Sequence, residues 1–423
     1  FGSSLYLWSH VCGRRRELWW RSMRLPWRHC IEPRGCRLRR VFGRGLCSSE
    51  AAGPLPFRSA RKVLLVSKTT RYENELARLA QTHCAVQAPA LLQAQAKQQG
   101  SDLEWLRTAH DAHEASVAAL RAGLQRLPWK AEVQVVKCYG GLRRAHIADA
   151  DFVFSLGGDG TLLRTASFVQ GFEAPLICGI NTNPSRSHGT LCVNYAQQDC
   201  REICMADPEV VDRFLTWLSS DEVQYVTRNR IRVTVSQPSG KQSGAHQTML
   251  ALNDVLVAEH EAQKASYYEM SFSHQPAGAS SEQIVVEKHK SSGLLVTTGT
   301  GSTAWSKSIL ALQPAMVQRV LELAGSDLSS DPMLPERVAD AYNGRLSFSP
   351  DSPTMRFVVR EPIINGVFAC NHASGFANGI SVLARSEDLR ISLDGQLMAP
   401  LPLSHLAQLS MHSEDALRVV HSV

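Results

Sequence analysis

The sequence lacks several patterns that mark common functional classes. Its 11 cysteines include no Cys-x-x-Cys pair, which removes the usual spacing of a zinc knuckle or a thioredoxin-type site. It contains no Gly-Lys-Ser/Thr sequence, so a Walker A phosphate loop is excluded. No apolar run has the length of a membrane span, and we expect no membrane partner. The irregular cysteine spacing favours free thiols in a reducing compartment.

Lysine is absent from the first 50 residues, and acidic residues are scarce there. This segment holds 11 Arg against three Glu, a charge of about +8, which leaves about −2 of the total +6 for the rest of the chain. A nearly neutral body gives no support for a nucleic-acid partner. An Arg-rich, acid-poor segment with serines is typical of an organellar transit peptide. We therefore predict a removed leader over residues 1–58, with an untargeted basic tail as the alternative.

Apolar runs and helical patterns alternate over the next 150 residues, which predicts parallel βαβ units over residues 59–215. Ligands in such sheets bind beyond the carboxyl ends of the strands, where the sequence GGDGT and the loop 181–184 follow two of the runs. After residue 215 short strands separated by Gly, Pro and Ser predict a second, mostly β domain over 216–423. The predicted strands are Lys62–Ser67, Glu132–Lys137, Phe152–Leu156, Pro175–Ile180, Val223–Val226, Ile231–Val235, Met249–Val257, Tyr267–Phe272, Gly293–Thr297, Met355–Val359 and Leu389–Leu393.

The GGDGT stretch is a candidate anion site. Glycines between a strand and a helix let phosphate oxygens approach free backbone N–H groups, so Gly157, Gly158 and Gly160 are candidate phosphate contacts. Asp159 would be costly there without a task, such as accepting a proton from a hydroxyl or helping to hold Mg²⁺. Thr161 and Arg164 follow at the start of the predicted helix. The alternative is an Asp-Gly turn without a ligand.

Three further stretches carry polar groups at strand ends. The sequence TTGTGSTAWS offers the hydroxyls of Thr300, Ser302 and Thr303 and the ring of Trp305, although a turn with one packed Trp has the same composition. Asn253 and Asp254 lie within an apolar run, where unpaired polar groups are expensive; they bind a ribose or satisfy backbone groups. The pair Asp394-Gly395 is predicted as a plain β-turn.

The order GGDGT, NTNP, LND, TGTGSTAW and SLDGQ resembles that of the ATP-dependent NAD kinase family, from about residue 61 to the end of the chain. The mitochondrial branch is the most similar, through SKTTRYE at 67–73, ASYYE at 265–269, KSSGL at 290–294 and REPI at 360–363. GGDGT alone also occurs in lipid kinases and phosphofructokinases. The combination with TGSTA-type and Asn-Asp elements distinguishes NAD kinases.

The resemblance implies an N-terminal Rossmann-like α/β domain and a C-terminal β-sandwich with the site between them. The implied reaction transfers the ATP γ-phosphoryl group to the adenosine-ribose 2′-hydroxyl of NAD, with Mg²⁺ entering on ATP and no protein metal ligand assigned. Asp159 becomes the candidate general base, while Gly157, Gly158, Gly160, Thr161 and Arg164 become phosphate contacts. The implied NAD contacts are Asn181, Asn253, Asp254, Thr300, Ser302, Thr303, Ala304 and Trp305. A homodimer in the mitochondrial matrix is also implied.

Some positions depart from the family pattern. Ser292-Gly293 replaces the Asp-Gly of many bacterial relatives, whose Asp contacts NAD, often across a subunit boundary. Gly299 replaces a common Pro, and Asn183 stands where the mitochondrial branch often has Asp. Lys68 and Arg71 are either phosphate ligands or solvated surface charges. A lipid kinase with the same loop and a non-catalytic NADP sensor are the alternative functions. The polar Asn253, Ser302 and Thr303 argue against a lipid, and Asp159 argues against a sensor.

Overall fold

The computed structural model describes residues 56–82, 90–94, 103–171, 175–185, 187–193, 205–237, 248–274, 283–325 and 331–421. Residues 52–423 form one compact unit. Most of the predicted leader, residues 1–55, lies outside the described residues. Its last part does not: Pro56–Ser59 forms a 3₁₀ turn, and the Phe57 ring is fully buried. This ring is therefore part of the folded unit, and the removal of residues 1–58 stays a prediction.

Eighteen strands have assigned bounds within the described residues. They are β1 (Lys62–Ser67), β2 (Glu132–Lys137), β3 (Phe152–Leu156), β4 (Leu176–Ile180), β5 (Gln224–Arg228), β6 (Ile231–Ser236), β7 (Met249–Ala251), β8 (Asp254–Glu259), β9 (Ser266–His274), β10 (Gln283–Ser291), β11 (Leu294–Thr297), β12 (Met355–Val359), β13 (Ser374–Ala377), β14 (Gly379–Ala384), β15 (Leu389–Leu393), β16 (Leu397–Leu401), β17 (Leu406–Met411) and β18 (Leu417–His421).

Helices flank the first strands and recur at a few later points. Their bounds are Arg71–Thr82, Leu103–Gln125, Arg144–Ala148, Asp159–Ala166, Pro208–Leu218, Trp305–Leu310, Pro314–Leu323 and Leu334–Gly344. The helix Leu103–Gln125 buries Leu106, Val117, Leu120 and Leu124, which recur at the spacing of one helix face. No helix of the described residues combines the length and apolarity needed to cross a membrane.

The first sheet has the order β2-β1-β3-β4-β18-β5. Its strands β1 to β4 pair in parallel, and β3 and β4 are buried along their whole length, as expected for strands covered on both faces. Apolar clusters pack on each face of this sheet. The predicted α/β part is confirmed. The sheet also includes β5 and β18, which come from beyond residue 215, so the boundaries of the two predicted domains stay a prediction.

The β-rich part contains two six-stranded antiparallel sheets, β10-β9-β14-β17-β6-β7 and β13-β12-β11-β8-β15-β16. Alternate residues of β6, β8, β15 and β17 are buried, which is the pattern of strands with one face toward a core. Side chains from both sheets share a single hydrophobic cluster. The sequence prediction of a mostly β second part is confirmed, although β10 was not predicted and residues 249–257 do not form one strand.

Candidate functional site

The GGDGT loop lies where β3 ends and the helix Asp159–Ala166 begins, at the carboxyl edge of the parallel sheet. A Cβ atom on Gly157 would approach Thr161 Oγ1 to 2.2 Å and Lys68 Cβ to 3.0 Å, so this position has no room for a side chain. A Cβ on Gly158 would meet Ser187 Oγ at an ordinary 3.4 Å, and one on Gly160 would meet nothing within 4 Å. Packing thus requires only the first glycine, since Gly158 has room for a methyl group beside Ser187 and Gly160 faces open space.

Two backbone amides fix the carboxylate of Asp159. The N–H of Leu191 donates to Oδ1 at 2.8 Å, and the N–H of Thr190 donates to Oδ2 at 3.1 Å. The side chain is half-buried at the N-terminus of its helix, where the helix dipole stabilises a negative charge. Each carboxylate oxygen retains a lone pair for a further donor. The arrangement therefore presents an oriented hydrogen-bond acceptor at the sheet edge.

Arg228, at the end of β5, connects Asp159 with the TGTGS turn, and the sequence analysis did not identify it. Its guanidinium is buried, and Nη1 donates to Thr300 Oγ1 at 3.3 Å. Burial lowers the pKa of Arg228, while the nearby Asp159 carboxylate opposes that shift. Its Nε is buried without a hydrogen-bond partner in the protein. The available signal was an arginine two residues after the predicted strand Val223–Val226, and its position there does not reveal the direction of the side chain.

The TGTGS stretch forms a tight turn after β11. A Cβ on Gly299 would overlap the carbonyl of Ser349, and one on Gly301 would lie 2.2 Å from the carbonyl oxygen of Asn253, so both glycines are required. The Ser302 hydroxyl donates to Gly299 O at 2.6 Å and accepts from Phe348 N–H at 3.1 Å. This hydroxyl supports the turn itself. Thr303 and Ala304 are exposed at the surface of the same turn.

Asn253 and Asp254 lie at a break between β7 and β8, and Asp394 causes it. The Asp394 carboxylate accepts hydrogen bonds from the N–H groups of Leu252, Asn253 and Asp254 at 2.9, 2.7 and 3.1 Å. These three N–H groups are therefore not used in hydrogen bonds between strands. The predicted plain turn at Asp394 thus also supports the Asn-Asp pair. Burial and the nearby Asp394 raise the pKa of Asp254 to about 7. Asn253 Oδ1 is buried without a partner in the protein, so it is available to a ligand.

Gln396, two residues after Asp394, reaches back to the glycine-rich loop. Its Nε2 donates to the carbonyl oxygen of Gly160 at 2.9 Å, and its Oε1 is buried without a partner. The structure therefore brings the GGDGT loop, the Asn-Asp pair and the TGTGS turn to one region, through Gln396 on one side and Arg228 on the other.

Other predicted site residues are used differently. The Arg164 guanidinium stacks on the rings of Phe168 and Tyr139, with its central carbon 4.8 and 5.4 Å from the ring centroids. These contacts are with aromatic rings outside the GGDGT loop. Asn181 holds its own loop together: Nδ2 donates to Ser187 O at 2.7 Å, and Oδ1 accepts from Asn183 N–H at 3.0 Å.

Trp305 stays open to solvent on one side. The side chain is 38% exposed, and the guanidinium of Arg360 lies over its ring with the Cζ atom 5.0 Å from the centroid. A flat ring with a cation above it is a suitable surface for an aromatic base or an anionic group.

Divalent metal ligands are sparse at this site. Within the described ranges, no group of three metal-ligating side chains includes Asp159, Asp254 or Asp394. Mg²⁺ keeps several waters and binds proteins through one or two carboxylates plus substrate phosphates. The residues present fit a Mg²⁺ ion that arrives on a nucleotide and do not form a protein cage for it.

The chain is similar to known proteins over most of its length. Mitochondrial NAD kinase 2 of Homo sapiens is 31% identical over 416 aligned residues, which cover 88% of this chain and 86% of the human protein. The chain belongs to the NAD kinase family. The same protein of Rattus norvegicus is also 31% identical, covering 86% of this chain and 88% of its own. The NAD kinase of Methanothermobacter thermautotrophicus is 30% identical over 160 residues, 38% of this chain and 44% of its own.

No protein-family model matches this member of the NAD kinase family. Among solved structures, yeast NADH kinase complexed with NADH aligns with a TM-score of 0.48 and 13% identity, covering 88% of this chain and 84% of that chain.

Proposed function

We propose that this chain is an ATP-dependent NAD kinase of mitochondria, which transfers the γ-phosphoryl group of ATP to the 2′-hydroxyl of the adenosine ribose of NAD and forms NADP. The observation that carries the proposal is the Asp159 carboxylate, fixed by two backbone amides inside a glycine-rich loop at the sheet edge. Relatives named mitochondrial NAD kinase 2 support both the reaction and the location.

In this proposal Asp159 accepts the proton of the ribose 2′-hydroxyl while the 2′-oxygen attacks the γ-phosphorus of ATP. The bond between the γ-phosphorus and the β,γ-bridging oxygen breaks, and ADP leaves. Phosphoryl transfer depends mainly on alignment and on neutralising charge. The open faces of Gly158 and Gly160 leave backbone within reach of phosphate oxygens. The buried guanidinium of Arg228 adds a positive charge close to Asp159. Mg²⁺ bound to ATP would neutralise further phosphate charge.

The remaining assignments concern NAD and the assembly. Asn253 and Asp254 would bind the ribose region, and Thr300, Thr303, Ala304 and Trp305 would line the adenosine pocket. We also propose that the α/β part is Rossmann-like, that the two antiparallel sheets form a β-sandwich, and that the protein is a homodimer. Support for the sandwich comes from the hydrophobic cluster that both sheets share.

The decisive experiment measures NADP formation by the purified chain with NAD, ATP and Mg²⁺, next to Asp159→Asn and the control Asp149→Asn. Asp149 is an exposed carboxylate paired with Lys62 at the opposite end of β1. We expect Asp159→Asn to bind NAD and to lose turnover by orders of magnitude, since an amide cannot accept the proton. The amide also loses one of the two backbone hydrogen bonds, so the melting temperature must be measured in parallel.

Each alternative function predicts a different result. A lipid kinase would transfer labelled phosphate to diacylglycerol or sphingosine rather than to NAD. An NADP sensor would bind NADP without forming it. Near-normal turnover by folded Asp159→Asn would contradict the general-base role while leaving the kinase activity intact.

A further inference from the structure

A second cluster of reactive side chains lies in the β-rich part, on strand β10 and the segment that connects β12 to β13. Glu287 and His289 are two residues apart on β10, so they point to the same, buried face of the strand, at 7% and 1% exposure. Cys370 and His372 come from the connecting segment, and Cys370 is a free thiol. None of these residues takes part in the kinase site described above.

The buried groups of this cluster lack partners. Neither ring nitrogen of His289 makes a hydrogen bond with the protein, and neither does Glu287 Oε2. His289 Nε2 and Glu287 Oε2 are 3.4 Å apart without hydrogen-bond geometry. The ring of Tyr268 covers the imidazole, with centroids 5.5 Å apart. Unpartnered polar atoms in an apolar setting are costly, so three in one place indicate a missing ligand.

The geometry of the cluster suits a metal ion. One ligand atom each from Glu287, His289 and Cys370 lies within 4.8 Å of the others. Tetrahedral zinc sites bring such atoms to roughly 3.4–3.8 Å from one another, given metal–ligand distances of about 2.0–2.3 Å, so a small contraction would close the site. The other carboxylate oxygen, Glu287 Oε1, is 2.6 Å from His372 Nδ1, which is the position of an outer partner that orients a ligating carboxylate.

We propose that Glu287, His289 and Cys370 bind a Zn²⁺ ion, with His372 holding the free oxygen of Glu287. A thiolate with an imidazole and a carboxylate favours zinc over Mg²⁺ or Ca²⁺, which prefer oxygen ligands. Binding displaces the thiol proton of Cys370 to solvent. Three protein ligands leave the fourth tetrahedral position to a water molecule, which can enter beside the partly exposed Cys370.

The site would tie the connecting segment to β10. The same segment begins at Arg360, which stacks on Trp305, and Ile363 N–H donates to Lys290 O at 2.8 Å, one residue after the candidate ligand His289. Zinc would therefore hold one end of a segment whose other end covers the candidate adenosine pocket. We expect bound zinc to make this connecting segment more ordered and to raise the melting temperature of the protein.

A comparable cluster near the parallel sheet carries no such proposal. Glu73, His110 and Glu114 also lie close together, but the ammonium of Lys137 is 2.8 Å from Glu73 and 2.7 Å from Glu114. A positive charge of the protein already occupies that site. The Glu287 cluster has no cation contact of this kind among the described residues.

The test measures metal binding, independently of turnover, on the full chain without a histidine tag. Zinc content is determined after dialysis, and Co²⁺ is titrated into the metal-free protein. A cobalt–thiolate charge-transfer band and tetrahedral visible bands report ligation by Cys370. The variants are His289→Gln and Cys370→Ser. Their matched controls are His260→Gln on an exposed turn and Cys178→Ala in the core of the parallel sheet.

We expect one zinc per chain in the wild type and both controls. Each ligand variant should lose at least about tenfold in affinity, and Cys370→Ser should also lose the charge-transfer band. Removing zinc should lower the melting temperature of the wild type and leave that of the two ligand variants unchanged. Circular dichroism of each variant verifies that it folds. A wild type that takes up neither metal, or folded ligand variants that bind it as the wild type does, would overturn the proposal, whatever the kinase assay shows.

Discussion

The side-chain amide of Gln396 donates to the carbonyl oxygen of Gly160 at 2.9 Å, across 236 residues of sequence. Gln396 follows Asp394, whose carboxylate positions the backbone of Asn253 and Asp254. One side chain thus connects the loop proposed to bind phosphate with the turn proposed to position NAD. Because both substrates must be aligned for phosphoryl transfer, this contact bears directly on catalysis.

Replacing Gln396 should therefore weaken the site without unfolding the protein. Gln396→Ala removes one hydrogen bond worth about 0.5–1.5 kcal/mol, which corresponds to about a 2- to 12-fold loss in kcat/KM. Gln396→Glu should lower kcat/KM further, since it replaces the donor with a carboxylate facing the Gly160 carbonyl. Steady-state kinetics for NAD and ATP measure both effects. The exposed Gln263→Ala is the control, and equal kinetics for all three variants would contradict the connection.

The three glycines of the loop should respond differently to alanine. Gly157→Ala brings a methyl group to 2.2 Å from Thr161 Oγ1, so we expect a loss of stability of about 1–3 kcal/mol or more. The methyl group of Gly158→Ala meets Ser187 Oγ at an ordinary 3.4 Å, and that of Gly160→Ala meets nothing within 4 Å, so both variants should keep the wild-type melting temperature. Their methyl groups would instead fill the space proposed for phosphate and raise KM for ATP. Unchanged KM values in these two variants would show that phosphate binds elsewhere.

The comparison of sequence and structure separates local signals from long-range ones. The bounds of β1 and β3 follow directly from apolar runs, since strands buried on both faces need continuous apolar sequence. Those of β2 follow from the alternation in EVQVVK, which suits a strand at the edge of the sheet. The strand β10 ends in EKHKS, where three of five residues are charged, and this composition resembles a loop. The position of β18 beside β4 depends on a pairing more than 200 residues apart, for which no local pattern exists.

The candidate site follows the same division. Asp159 was predictable because the carboxylate stands among glycines at a strand end. Arg228 and Gln396 were not, since their importance comes from which way each side chain points in the folded molecule. Asp394 was predicted as part of a plain turn, and only the structure reveals that its carboxylate accepts hydrogen bonds from three backbone amides.

Asp254 should make the stability of the protein depend on pH. Burial and Asp394 raise its folded pKa to about 7, from 3.8 in the unfolded chain. Between these values the folded protein holds a proton that the unfolded chain has lost, so stability falls as pH rises through this window. Asp254→Asn removes this loss. Its melting temperature should equal that of the wild type near pH 4, exceed it increasingly up to about pH 7, and keep a constant advantage above that.

Melting curves of Asp254→Asn from pH 4 to 9 test this expectation, with the exposed Asp340→Asn as the control. The same variant should bind NAD more weakly above pH 7, because the carboxylate that is ionised there is lost from the proposed ribose site. A variant that is less stable than the wild type at pH 8 would show that the Asp254 carboxylate is stabilised rather than penalised in the fold.

Phe57 sets a limit on where the leader can be cleaved. Its buried ring packs on Phe152, Trp129 and Phe154, with centroid distances of 5.0, 5.6 and 5.9 Å. Removing a buried Phe costs about 3–5 kcal/mol.

A chain that begins at Ser59 should therefore melt at a clearly lower temperature than one that begins at Ala52, and Phe57→Ala in the longer chain should reproduce that loss. Arg58→Ala is the matched control, because it removes the neighbouring exposed side chain and its surface contacts with Ser219 and Asp221, and exposed ion pairs contribute little to stability. The protein recovered from mitochondria, sequenced by mass spectrometry, should begin before Phe57; a mature start at Ser59, or equal melting temperatures for the two chains, would mean that this ring does not support the fold.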